Sequence, residues 1–89
     1  MRGANRVMVM TDVVIQISPE IGRREATTVL TQLVGAPVGA LFPGTDDPEM
    51  QSWLHVALPS DRDADEVVRE LVGHRYVESA YVKPPESVP

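Results

Sequence analysis

The amino-acid sequence predicts an α+β domain with the element order strand, helix, strand, strand, helix, strand. Each half of the chain contains an alternating apolar segment, followed by an apolar stripe at helical spacing and then a glycine. Proline or glycine separates neighbouring segments. A chain of 89 residues with 43% hydrophobic content has room for one globular domain with a modest core.

The first half of the chain supplies three elements and a loop. Residues 7–17 are rich in Val, Met and Ile and end in an alternating pattern, which is typical of a strand. Residues 18–20 (Ser-Pro-Glu) predict a helix start with Ser18 as the N-cap, and Gly35 predicts the helix end. Residues 38–42 predict a second strand, and residues 45–49 predict a polar loop. The apolar stripe of the helix consists of Ala26, Val29, Leu30, Leu33 and Val34.

The second half of the chain repeats this plan. Residues 53–58 alternate between two faces and predict a third strand. Ser60 and Asp63 resemble a capping box at the start of the second helix, and Gly73 predicts its end. Residues 76–82 predict the last strand. The apolar stripe of the second helix consists of Ala64, Val67, Val68, Leu71 and Val72.

This element order predicts a ferredoxin-like βαββαβ fold. Two right-handed crossovers give a four-stranded antiparallel sheet with both helices on one face. We expect a single domain over residues 1–83 and an extended proline-rich tail over residues 84–89, because adjacent prolines prevent further regular pairing.

The sheet face without helices is the first candidate binding surface. Alternation along the third strand places Trp53, His55 and Ala57 on this face. Trp53 is the only tryptophan in the chain, and aromatic side chains are enriched in interface cores. The pattern fits a docking surface, and it equally fits a tryptophan that packs at the sheet edge or under a loop.

Composition and charge exclude several classes of protein. Thirteen acidic and eight basic residues give a net charge of −5, which suits neither nucleic acid nor an anionic membrane. The absence of cysteine excludes disulfides, thiolate zinc sites and cysteine nucleophiles. Asp12 and Gln16 interrupt the N-terminal apolar stretch, so we expect neither a signal peptide nor a membrane span. A cytoplasmic protein is expected, or a secreted one if the chain belongs to a longer precursor.

The sequence predicts no enzyme, no cofactor and no metal site. His55 and His74 are the only imidazoles, and no Glu stands at metal-ligand spacing from either. No serine stands in a Gly-x-Ser-x-Gly turn, and residues 35–39 lack the lysine and spacing of a phosphate loop. A solvated loop and a helix start explain the acidic residues better than a calcium site; these are Asp46, Asp47, Glu49, Asp61, Asp63, Asp65 and Glu66.

The C-terminal part carries the most specific pattern. A helix over residues 66–71 leads through a Val-x-x-Ala-Tyr-Val strand into an extended tail, and this resembles the N-terminal propeptides of subtilisin-like serine proteases. Residues 42–50 and the strand that runs into residues 18–20 look like the corresponding parts of bacterial members. The resemblance spans about residues 12 to 89, and Ala-Tyr-Val at residues 80–82 is its most specific element.

The resemblance implies a fold, a partner and two contact regions. Such propeptides have a ferredoxin-like fold, dock the open sheet face on two protease helices, and lay the C-terminal tail into the substrate cleft. They act as folding chaperones and inhibitors. The implied docking face carries Trp53, His55, Ala57 and Tyr81. The implied cleft-binding tail consists of Lys83, Pro84, Pro85, Glu86, Ser87, Val88 and Pro89.

Two features depart from the family pattern. Residues 83–85 read Lys-Pro-Pro where family members carry carboxylates that cap protease helices, and Glu86 is the nearest acid. The tail also ends at Pro89, without a large residue for a specificity pocket. Because no protease domain follows, we expect either a free-standing inhibitor or chaperone, or a propeptide separated from its enzyme.

The alternative prediction is a small regulatory module of the same fold. It would homodimerise through the open sheet face and bind a small ligand. RNA recognition is less favoured because it needs aromatic residues on the central strands and a basic surface. An acyl-phosphate hydrolase is also less favoured because the phosphate-binding loop is missing.

Overall fold

A computed structural model describes residues 10–59 and 61–83. Its strands form one antiparallel sheet in the order β2-β3-β1-β4. This arrangement confirms the predicted α+β class and is compatible with a ferredoxin-like fold. The elements are β1 (Met10–Ile17), α1 (Arg23–Val34), β2 (Val38–Ala40), α2 (Pro48–Gln51), β3 (Trp53–Pro59), α3 (Ala64–Val72) and β4 (Val77–Val82).

The core lies between one face of the sheet and the two longer helices. Val13 stands opposite Val56 and Ile15 opposite Leu54, so alternate residues of β1 and β3 share that face. Full burial of a Leu, Ile or Val side chain contributes about 1.5–3 kcal/mol relative to exposure. The helices bury Ala26, Leu30, Val34, Val67 and Leu71 in the same cluster.

Helix α1 begins later than the sequence predicts. The Ile21 N–H donates to the Ser18 carbonyl oxygen at 3.1 Å, so residues 18–21 form a turn and not the first turn of a helix. Gly22 is the N-cap, and it makes no side-chain capping hydrogen bond. The predicted helix end is confirmed, because Gly35 is left-handed with φ 77° and donates to the Thr31 carbonyl oxygen at 2.8 Å.

Helix α3 also begins later than predicted. Asp63, not Ser60, is its N-cap, and the Asp63 carboxylate accepts hydrogen bonds from the N–H groups of Asp65 and Glu66 at 3.1 and 3.2 Å. Ser60 itself lies outside the described residues. The predicted capping box is therefore wrong, because Asp63, which that prediction places at the third helical position, is itself the N-cap.

Two members of the predicted apolar stripes are exposed. Leu33 in α1 is 38% exposed and Val72 in α3 is 52% exposed, although both were expected in the core. Each directly adjoins a buried residue, Val34 and Leu71 respectively. Neighbouring helical residues point about 100° apart, so only one of each pair can face the sheet.

The connection between β2 and β3 differs from its prediction. β2 ends at Ala40 and does not reach residue 42, although the Leu41 N–H still donates to the Trp53 carbonyl oxygen at 3.0 Å. The predicted loop over residues 45–49 contains the start of α2. The Asp47 carboxylate caps α2 by accepting from the Glu49 N–H at 2.9 Å.

A β-bulge in β4 sets which of its residues face the core. Gln16 pairs with Ser79 whereas Ile17 pairs with Val77, so Glu78 is the extra residue. Val77 therefore joins the buried cluster. The strand begins at Val77, one residue later than predicted. Residues 7–9 of the predicted first strand and the predicted tail over residues 84–89 lie outside the described residues.

Candidate docking face

Neither of the longer helices covers the second face of the sheet. Core residues of β1 and β3 point toward α1 and α3, so the intervening residues point the other way. We call this side the open face. It carries Met10, Asp12, Val14, Gln16, Gly39, Trp53, His55, Ala57, Pro59, Ser79 and Tyr81.

One row of residues crosses the middle of the open face from edge to edge. Gly39 stands opposite His55, His55 opposite Val14, and Val14 opposite Tyr81. Val14 is only 4% exposed, yet it does not belong to the buried core cluster. Directly paired side chains in antiparallel strands are close enough to cover each other. Val14 therefore lies beneath its neighbours at the centre of the open face.

The residues predicted from alternation lie on this face together. Trp53, His55 and Ala57 are half-buried, and they come from one strand. Tyr81 comes from the opposite edge strand and is 48% exposed. Aromatic groups therefore stand on both sides of the buried Val14. The docking role of these residues stays a prediction.

Few fixed charges are present on the described part of the open face. Asp12 is the carboxylate on the central strand β1. At the β4 edge the bulge residue Glu78 is exposed, and the exposed Lys83, two residues beyond Tyr81, donates its N–H to the Asp12 carbonyl oxygen at 2.8 Å. The Ser79 hydroxyl donates to Gln16 Oε1 at 3.2 Å, which satisfies a polar pair between the two strands. The face is thus mainly apolar and aromatic, although the chain carries a net charge of −5.

Sequence reasoning missed several residues of the open face. Met10 is 47% exposed at its margin, and Val14, Gln16 and Gly39 occupy its interior rows. Alternation within β1 could have placed Val14 and Gln16 on this face. The position of Gly39 depends on the register between β2 and β3, which no single segment of the sequence specifies.

A separate cavity of about 240 Å³ lies near the start of α1. The Nη1 atom of Arg23 in its lining is buried and has no hydrogen-bond partner among the described residues. The carboxylate-bearing residue Glu20 also lines the cavity, so its charges are mixed. No residue of the open face belongs to this lining.

A polar cluster connects the start of β4 with α1. The Tyr76 hydroxyl donates to Glu25 Oε2 at 2.7 Å, and the Tyr76 N–H donates to His74 Nδ1 at 3.1 Å. The rings of His74 and Tyr76 stand edge to face with centroids 4.9 Å apart. The hydrogen bond to Glu25, with partial desolvation and the negative charge of Glu25, raises the pKa of Tyr76. His74 therefore has a structural position, away from the open face.

The described residues contain no group of three or more His, Asp or Glu arranged to hold a metal ion. Among the described helices, none is long and apolar enough to cross a membrane. Of the predicted cleft-binding residues, only Lys83 is described, and it is exposed. The others, residues 84–89, lie outside the described part of the chain.

Comparisons of the chain with protein-family models, with curated proteins and with solved structures found no match. A functional proposal therefore depends on the residue pattern and on the geometry of the open face.

Proposed function

We propose that the protein binds a subtilisin-like serine protease as a propeptide-like inhibitor, as a folding chaperone, or as both. One observation carries the proposal. Trp53, His55, Ala57 and Tyr81 come from two different strands and share the sheet face that α1 and α3 leave open. The residues implied by the resemblance therefore form a single surface.

The composition of the open face suits a protein partner. Interface cores are depleted in charged residues and enriched in aromatic ones. The middle of the open face has this character, with Trp53 and Tyr81 on either side of Val14. A protease surface that covers this face would remove exposed apolar area from water.

The position of β4 supports a second contact through the tail. β4 is an edge strand, and the chain passes through Lys83 directly into the proline-rich residues 84–89. A proline-stiffened segment loses less conformational freedom when it binds in an extended form. Strand-like pairing with a substrate cleft would supply main-chain hydrogen bonds. Three prolines in these six residues also make the tail a poor substrate.

Inhibition assays test this proposal directly. The intact chain is titrated against a panel of subtilisin-like proteases with a small peptide substrate, and mixtures are analysed by gel filtration. We expect at least one protease to be slowed at micromolar or lower concentration and to form a complex. A chymotrypsin-like serine protease is the control, because it shares the catalytic chemistry but lacks the docking helices. No slowing and no complex with any panel member would contradict the proposal.

A homodimeric regulatory module is the second candidate. The exposed side chains of Met10 and Tyr81 on the open face favour it, because two copies could cover each other there. Light scattering separates the candidates. A stable dimer that buries the open face supports the regulatory module, whereas a monomer that binds a protease supports the inhibitor.

A further inference from the structure

Gly39 occupies an unusual place on the open face. It is the middle residue of the three-residue edge strand β2, and it stands opposite His55. Its neighbours Val38 and Ala40 stand opposite the core residues Val56 and Leu54. Gly39 is therefore the one residue of β2 on the open face, and it leaves a notch beside the His55 ring.

The fold itself does not require glycine at this position. Gly39 has no left-handed φ, unlike Gly35 and Gly44 with φ of 77° and 80°. A Cβ built on Gly39 would meet no atom of the described residues within 4 Å. Glycine within a strand loses more conformational entropy on folding and has no side chain to pack. Alanine would therefore suit the isolated domain at least as well.

A strand glycine that the fold itself does not require often marks a site where another molecule approaches the backbone closely. We infer that an uncharged group of the bound protease lies against the Gly39 backbone, in the space that a Cβ would fill. This inference rests on the proposed function. The neighbouring side chains select the chemistry of the group, because the open-face residues of β3 nearest to Gly39 are Trp53, His55 and Ala57, and none of them is Asp, Glu, Lys or Arg. A desolvated ion would therefore find no permanently charged partner beside the notch.

Two matched alanine variants test the inference. Gly22 is the control, because it also has open space around an added Cβ and an ordinary φ of −63°, but it caps α1 away from the open face. We expect Gly39→Ala to weaken inhibition at least tenfold while its melting temperature stays equal to or above that of the wild type. Gly22→Ala should inhibit like the wild type.

A measurement on the unaltered chain avoids any effect of the substitution on folding. In a ¹⁵N-labelled sample, we expect the Gly39 amide signal to shift, and its hydrogen exchange to slow, when a protease that the chain inhibits is added. An unchanged Gly39 signal in the complex would overturn the inference. A Gly39 shift that depends on the concentration of the chain alone would also overturn it, because the occupant would then be a second copy.

The assay separates the failure of this inference from the failure of the proposed function. If the wild type inhibits and Gly39→Ala inhibits equally well, the inference is wrong and the proposed function stands. If the wild type inhibits no protease, both are wrong. If Gly39→Ala melts at a much lower temperature, glycine is needed by the fold and the inference is wrong.

Discussion

Trp53 has a half-buried side chain on the open face, in a register position opposite Gln16. It does not belong to the core cluster. Tryptophan is common among interface residues whose truncation to alanine lowers the binding free energy by about 2 kcal/mol or more. Burial of its large ring on binding explains this enrichment. Because Trp53 lies outside the core cluster, its side chain is placed to contribute to binding more than to the free energy of unfolding.

Truncation of Trp53 should impair binding more than folding. We expect Trp53→Ala to weaken inhibition by about 30-fold or more, and to lower the free energy of unfolding by less than about 1 kcal/mol. The control is Val72→Ala, which removes exposed apolar surface from α3 on the opposite side of the molecule. Inhibition constants and urea unfolding curves measure the two effects. Equal losses of both in Trp53→Ala would indicate a structural role.

The hydrogen bond between Tyr76 and Glu25 should make stability depend on alkaline pH. The folded-state pKa of Tyr76 is raised, so the folded state favours the neutral phenol. The stabilisation is fully present below the ordinary tyrosine pKa of about 10 and is lost as pH rises through the raised value. Tyr76→Phe should therefore be less stable than the wild type at pH 7, and the difference should shrink above pH 10.

Urea unfolding between about pH 7 and 11 measures this difference. A Glu25→Ala background is the control, because the phenol then has no carboxylate to bind and the alkaline loss should disappear. A difference between Tyr76→Phe and the wild type that stays constant over this pH range would contradict the assignment.

At the scale of the elements, α3 depends on a single side-chain cap. The Asp63 carboxylate accepts from two N–H groups at the positive end of the helix dipole. We expect Asp63→Ala to lower the free energy of unfolding by about 1 kcal/mol. Inhibition by the folded variant should be unchanged, because α3 lies on the covered side of the sheet.

The conservative variant Asp63→Asn is the matched control. Its amide oxygen can still accept hydrogen bonds from the backbone, so it should lose less stability than Asp63→Ala. Thermal unfolding of both variants measures the difference. Equal destabilisation by alanine and asparagine would show that charge, not hydrogen bonding, dominates the cap.

Element types were more predictable than element limits. Alternation in β3 and helical spacing in α3 follow directly from which side chains must leave water, so both elements were predicted correctly in kind. The predicted start of α1 was wrong because residues 18–21 fit both a turn pattern and an N-cap pattern. In the structure these residues form the turn. Helix α2 was missed because four residues are too few to show a period.

The open face was predictable only in part. Trp53, His55 and Ala57 follow from alternation along one strand, which is a local property. The position of Val14 between His55 and Tyr81, and that of Gly39 opposite His55, depend on pairing between strands that are distant in sequence. The bulge at Glu78 likewise decides which residues of β4 accompany Tyr81, and a sequence pattern of period two cannot reveal it.

At the scale of the whole molecule, the domain and its tail should be separable. Removal of residues 84–89 should weaken inhibition at least tenfold, which corresponds to about 1.4 kcal/mol of binding free energy. The melting temperature should stay within about 2 °C of the intact chain, because the described core is formed by residues before Lys83. Inhibition assays and calorimetry measure both.

Replacement of the tail by six Gly and Ser residues is the control for chain length. This variant should inhibit as weakly as the truncated chain, because a flexible segment pays a larger entropic cost on binding. Full inhibition by the Gly-Ser variant would show that the tail contributes no specific contact. A large fall in melting temperature on truncation would show that the tail belongs to the fold.

The two edges of the sheet are both unsuited to adding further strands. β2 offers only three residues and directly follows Pro37, while β4 is interrupted by the bulge at the charged residue Glu78. Short edges, bulges, prolines and charges are the devices by which natural sheets avoid open-ended polymerisation. The open face can therefore meet a partner while the described edges of the sheet offer little backbone for the addition of further strands.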